Sequence, residues 1–154
     1  MNVGQMCQRN AVTVQPSDEI AAAARLMRER HVGFLVVVEP AAQEGAVIPV
    51  GVITDRDIVV STIALGVDPA TLCVGDVMTC KPTVALAQDS IADATHRMRH
   101  CGVRRLPVVG DYGHLIGVLS LDDVLTSRAD ELVAAAAVIT KARQHEATTR
   151  SESS

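Results

Sequence analysis

The sequence predicts an α+β fold built from two tandem β-α-β-β-α units, and three observations lead to it. Residues 3–38 align with residues 74–109 at a constant offset of 71, with twelve identities in thirty-six positions. After a longer connection in the first copy the match resumes at an offset of 66, where GVITDRDI (51–58) faces GVLSLDDV (117–124). Within each copy, short β-branched runs flank one amphipathic stretch of helical period.

The elements follow in order along the chain. Each copy opens with a short strand, at residues 12–14 and 83–85, ahead of an amphipathic helix introduced by acidic residues at 17–30 and 89–100. Two β-branched runs come next, 34–38 with 47–53 and 105–109 with 115–119, and a second helix starts near Asp55 or Leu121. The connection 39–49 contains Pro, Gly and small residues and reads as a mobile hairpin loop, whereas 110–114 reads as a tight turn. Repeat one therefore spans about residues 3–66 and repeat two about 74–126, the pair occupying 1–126. Beyond it an alanine-rich helix is expected over 127–145, and the closing EATTRSESS (146–154) is polar enough to be expected disordered.

Composition excludes several functions. A chain of 154 residues, 48% hydrophobic, buries a real core without staples. Its 14 basic and 18 acidic side chains give a net charge of −4, which lacks the basic footprint of a nucleic-acid binder. Phe34 and Tyr112 are the only aromatics, so no platform exists for stacking bases. No apolar run is long enough to span a membrane and MNVGQMCQRN lacks a signal-peptide core, so no membrane partner and a cytoplasmic location are expected. Cys7, Cys73, Cys80 and Cys101 show no CxxC spacing and read as reduced thiols, the first three as small buried hydrophobes. His96 and His100 stand one helical turn apart beside Cys101 without a further ligand, so no metal site is expected. With no nucleophile elbow, Walker loop or HExxH pattern, the chain reads as a non-enzyme with no required cofactor.

Each copy ends with a hydroxyl residue followed three positions later by an aspartate, Thr54 with Asp57 and Ser120 with Asp123. This is the capping-box spacing, and holding a helix start together is its commoner meaning. The same geometry suits a ligand. A carboxylate at a helix N-terminus accepts two hydrogen bonds from a vicinal diol such as a ribose, while the backbone amides and helix dipole favour a nearby phosphate.

The stretches VGDVMT (74–79), GVRRLPVV (102–109) and GVITDRDIV (51–59), together with the repeat, resemble the CBS-domain family, named after cystathionine β-synthase. The resemblance runs from Val3 to Leu125. It implies that the two repeats pack about a pseudo-twofold axis into a Bateman module, whose two clefts bind adenosine derivatives such as AMP, ADP, ATP or S-adenosylmethionine. The ribose-binding positions of the family fall on Thr54 and Asp57 in one copy and on Ser120 and Asp123 in the other. The resemblance also implies adenine pockets shared between copies. Asp123 would then face Val12, Thr13, Leu35 and Val118, and Asp57 would face Thr83, Val84, Pro107 and Val52.

The copies differ most where phosphate would lie. Arg104 and Arg105 open a strand in the second copy, whereas their equivalents Gly33 and Phe34 carry no charge. Strand alternation predicts that only one of the two arginines reaches a given cleft. Arg56, in the first turn of a helix, is a third candidate cation. Residues 57–66 are apolar on more than one side, and that surplus predicts an isologous homodimer. The sequence thus reads as an adenine-nucleotide sensor acting on a protein target in trans. The alternatives are an interaction protein with vestigial clefts and a weak nucleotide-processing enzyme.

Overall fold

One helix lying across a small sheet forms the core of each copy. In the computed structural model, which describes residues 1–152, the first copy consists of α1 (Val3–Met6), β1 (Thr13–Val14), α2 (Ile20–Arg30), β2 (Phe34–Pro40), β3 (Val47–Thr54) and α3 (Asp55–Ser61). The second consists of α4 (Val74–Val77), β4 (Thr79–Cys80), β5 (Ala85–Leu86), α5 (Ile91–Cys101), β6 (Arg105–Val109) and β7 (Leu115–Ser120), and α6 (Leu121–Glu152) follows. Met1–Ser120 and the helix from Leu121 onward are separate compact units.

Helical spacing puts Ile20, Ala23 and Met27 on one face of α2, and they pack against Leu35, Val37 and Ile53 in the first core. The second copy repeats the pattern, burying Ile91, Ala94 and Met98 of α5 together with Leu106, Val108 and Leu119. Each such leucine or isoleucine contributes about 1.5–3 kcal/mol by leaving water. The middle strands run parallel to the first strand of each copy and antiparallel to the last.

The leader of each copy docks on the other copy. Val3 and Gly4 donate from their backbones to the Asp89 and Ala87 carbonyls at 3.0 and 2.8 Å, and Gln8 exchanges two 2.9 Å backbone bonds with Val118 of β7. Reciprocally, Val74 and Gly75 donate to the Asp18 and Pro16 carbonyls at 2.8 and 2.9 Å, and β4 extends the first sheet by pairing with Gly51 and Val52 of β3. Val3 and Val74 are fully buried in these seats. The exchange obeys both repeat offsets, Gln8 on Val118 matching Thr79 on Val52, and it realises the pseudo-twofold relation. Glycine at 51 and 117 makes the approach possible. A Cβ on Gly51 would lie 2.6 Å from Met78 Sδ, and one on Gly117 would run into the Gln8 carbonyl oxygen.

Four expectations change. The hairpin loop shrinks to residues 41–46, because Glu39 and Pro40 pair with Ile48 and Val47; Pro49 is accommodated at the bulge between Val37 and Val38. Residues 57–66 do not form one helix. α3 ends at Ser61, Thr62 adopts ψ −76° and turns its hydroxyl to the Ile58 carbonyl at 2.6 Å, and a short 3-10 turn (Ile63–Leu65) closes on Gly66. Val59, Val60, Ile63 and Leu65 remain exposed there. The second copy's first strand starts one position later than its counterpart. In the first copy the Val36 N–H donates to the Val12 carbonyl at 3.1 Å, whereas Pro107, the equivalent of Val36, has no N–H to give Thr83. Finally, the helix expected over 127–145 is part of α6, which begins at Leu121 and runs through 146–152, where disorder was expected. Extending an existing helix adds one bond per residue, and Thr148 and Thr149 satisfy their hydroxyls on the Gln144 and His145 carbonyls at 3.0 Å. Residues 153–154 lie outside the described residues.

Candidate functional site

Thr54 ends β3 and caps α3 from an extended conformation, φ −112° and ψ 162°. Its Oγ1 accepts from the Asp57 N–H at 3.1 Å, and Asp57 Oδ2 accepts from the Thr54 N–H at 2.9 Å. The capping box is therefore formed. An ionised carboxylate has about four lone-pair sites, so one cap bond leaves Asp57 with acceptor capacity for a diol. Capping and ligand binding are compatible at this residue.

Both residues line a cleft of about 740 Å³ between the two copies, within the range of small-molecule sites. From the first copy come Gly33, Phe34, Val52, Thr54, Asp55, Arg56 and Asp57; from the second come Thr79, Lys81, Thr83, Cys101, Arg104, Arg105 and Pro107. Strand parity explains the set. Phe34 opposes Thr54 and Val36 opposes Val52 across β2 and β3, so these side chains share the face turned away from α2. Arg105 and Pro107 occupy the matching face of β6, opposite Ser120 and Val118. Four cations, Arg56, Lys81, Arg104 and Arg105, outnumber the carboxylates of Asp55 and Asp57 in the lining. The cleft is thus locally positive in a chain whose net charge is −4.

Arg104 and Arg105 both line the cleft, contrary to the alternation expected of neighbouring strand residues. Arg104 precedes β6, and only Arg105 is bound by the pleat. The Arg105 guanidinium carbon lies 6.0 Å from the Phe34 ring centroid. Gly33 leaves room beside them for the Asp55 side chain, whose Oδ2 would lie 2.7 Å from a Cβ at that position. Thr83 anchors the opposite wall, its Oγ1 donating to Cys101 Sγ at 3.5 Å.

Other expected residues lie elsewhere. Val84 is not in the lining, and its carbonyl accepts from Arg97 Nη1 at 2.6 Å. Leu35 is fully buried among Ile20, Ala23 and Ile53, because its position on β2 points to α2 while Val36 points away. Val12 packs partly against that same core. Thr13 is exposed and borders a depression on α2 beside Arg25 and Glu29. Val118 is half-buried on β7, Ser120 ends that strand, and Asp123 is the third residue of α6. Lys81 is the cleft cation that repeat comparison overlooks. Its counterpart is Asn10, and its left-handed φ of 49° ahead of Pro82 is the local signal.

The cysteines diverge from one another. Cys7 is buried, and desolvation pushes its thiol above the ordinary range despite the opposing charge of Arg9. Cys73 is half-buried, while Cys80 and Cys101 are exposed, so the expectation of buried hydrophobes fails for Cys80, which sits on an edge strand. Among the described residues no three potential ligands converge on a metal site. None of the described helices is long and apolar enough to cross a membrane.

Comparison with known proteins identifies the architecture. The CBS domain family model matches twice, at residues 3–61 and 74–130. An uncharacterized protein of Methanopyrus kandleri is 32% identical over 126 residues, covering 81% of this chain, and the chain spans 61% of that relative's length. The CBS domain-containing protein YhcV of Bacillus subtilis is 33% identical over 133 residues, covering 86% of this chain and 89% of its own. Among solved structures, CBSX2 of Arabidopsis thaliana in complex with AMP matches with a TM-score of 0.69 at 28% identity, over 84% of this chain and 96% of that one. With both family matches falling on the two copies that share the cleft, the chain belongs to the CBS domain family and carries two CBS repeats in tandem.

Proposed function

We propose that this chain is a regulatory module without catalytic activity of its own, which binds an adenine nucleotide in the cleft between its copies. The observation that carries the reading is the meeting of the Thr54–Asp57 helix start with Arg104, Arg105 and Lys81 of the other copy in one lining. In this reading the ribose diol donates to Asp57, whose Oδ2 already accepts from Thr54. The adenine lies between Val52 and Pro107, where the Thr83 carbonyl, given no ladder bond by Pro107, can accept from its amino group. The phosphates meet Arg56, Arg104 and Arg105, whose guanidinium forks suit phosphate oxygens, and the compact ammonium charge of Lys81. The AMP complex of CBSX2, a relative of the same fold, supports an adenosine ligand.

By the repeat, Ser120 and Asp123 are the second ribose pair. Occupancy would act through a change of shape or partner affinity on a protein target in trans. The exposed Val59, Val60, Ile63 and Leu65 supply an apolar face for a homodimer.

The formed capping box favours one other reading, in which Thr54 and Asp57 are purely structural and the cleft is vestigial. Equilibrium binding of AMP, ADP, ATP, S-adenosylmethionine and NADH to the full chain separates the two. The regulatory reading expects saturable binding of at least one of them, and the structural reading expects none.

A further inference from the structure

We propose that α6 pairs antiparallel with the α6 of a second copy of this chain. The helix has 32 residues, which at 1.5 Å per residue is about 48 Å of rod. Leu125, Leu132 and Ile139 recur every seven residues along it and are 59%, 72% and 56% exposed. Ala129 and Ala136 follow the two leucines by four residues, completing a narrow stripe on one face, with the exposed Val133 and Val138 lying off it. A seven-residue apolar repeat is the seam of helix-on-helix pairing, narrower than the stripe with which a helix covers a globular core. Small residues alternating with large ones along that seam let two helices approach closely.

The charges on the same face choose the occupant and its direction. At 100° per residue, Asp122 lies on the stripe face one turn before Leu125, and Arg143 lies on it one turn after Ile139. The stripe's large residues, Leu125, Leu132 and Ile139, are spaced symmetrically about Leu132, with one alanine of the stripe, Ala129 or Ala136, between each pair. A second copy laid antiparallel therefore matches apolar to apolar over 125–139 and brings Asp122 of each chain beside Arg143 of the other. A parallel copy would set Asp122 against Asp122 and Arg143 against Arg143, which repel. Antiparallel packing also opposes the two helix dipoles. A membrane surface or nucleic acid fits this face less well, because its apolar centre is bounded by both signs of charge.

Proximity across the pair tests the proposal independently of any other contact between copies. Full-length Asp122→Cys and Arg143→Cys chains are mixed in equal amounts and mildly oxidised, and the bonded peptides are read by mass spectrometry, which separates them from bonds through Cys80 or Cys101. The expected product joins position 122 of one chain to position 143 of the other. Adding Leu132→Lys to both chains should lower its yield about tenfold, since a lysine there would be desolvated without a partner. Absence of the 122–143 bond would overturn the pairing. Bonds joining 122 to 122 and 143 to 143 would overturn its direction, and a yield indifferent to Leu132→Lys would show that the stripe is not the seam.

Discussion

The Arg105 guanidinium carbon lies 6.0 Å from the centroid of the Phe34 ring, and the two residues occupy equivalent positions of the two copies. The repeat's symmetry is therefore broken at its most intimate point. One copy presents an aromatic ring, the other a cation that rests on it, and the contact contributes about 0.5–1 kcal/mol in a partly exposed site. The ring is an uncharged neighbour, and the guanidinium it meets is part of the cleft lining.

If the cleft holds a nucleotide as proposed, its positive lining places the phosphates at Arg104 and Arg105. Replacing both with glutamine should weaken ATP and AMP more than adenosine, and the difference should shrink as salt rises. Isothermal titration of the three ligands at low and high ionic strength measures it. Equal losses for adenosine and AMP would place the damage in packing rather than in phosphate recognition.

The exchanged leaders make Gly117 and Gly51 structural pressure points of unequal strength. A Cβ at 117 meets backbone, the Gln8 carbonyl oxygen, and also Cys7 Sγ at 3.0 Å, whereas at 51 its nearest neighbour is the flexible Met78 Sδ at 2.6 Å. Gly117→Ala should therefore cost about 1–3 kcal/mol and lower the melting temperature by roughly 2–4 °C per kcal/mol. Gly51→Ala should cost less, because a thioether moves aside more easily than a peptide. Thermal unfolding of the two variants gives the order, and the reverse order would contradict the account of the exchange.

At the start of α4, Asp76 accepts from the Cys73 N–H at 2.9 Å and from its Sγ at 3.2 Å. These bonds hold its carboxyl below the usual carboxylate range. A folded pKa below the unfolded one means that the contribution is whole above the unfolded value, about 3.9, and is lost as pH falls through the folded value. Melting temperatures of the wild type and Asp76→Asn should accordingly differ near neutrality and converge in acid. A constant gap across the acid range would remove Asp76 from the acid response.

How much of this was legible in the sequence depends on which forces act locally. β6 begins and ends where its β-branched run does, at Arg105 and Val109, and the capping box at Thr54 and Asp57 follows from spacing alone because its bonds join residues three apart. The leaders were not legible as exchanged. An alignment shows that Val3 and Val74 are equivalent, yet nothing local says that each is buried on the other copy. Leu35 shows how much a single strand position decides, since its side chain lies in the core under α2 while its neighbour Val36, also fully buried, belongs to the opposite face. Arg104 escaped the alternation rule by lying before the strand, and Lys81 entered the cleft through a left-handed turn with no counterpart in the first copy. The polar tail of α6 is helical because propagation asks less of side chains than packing does.

The ribose role proposed for Asp57 in this cleft is measured most directly by the AMP affinity of the wild type against Asp57→Asn. The substitution should remove charge-assisted hydrogen bonds worth about 1.5–3 kcal/mol, a loss of roughly tenfold to a hundredfold in affinity at this site. Folding should change little, because asparagine retains a carbonyl oxygen to accept from the Thr54 N–H. Titration calorimetry showing that weakening, with an unchanged melting temperature for the free protein, is the predicted result. AMP binding of equal strength in both proteins would contradict the ribose role and leave Asp57 as a helix cap alone.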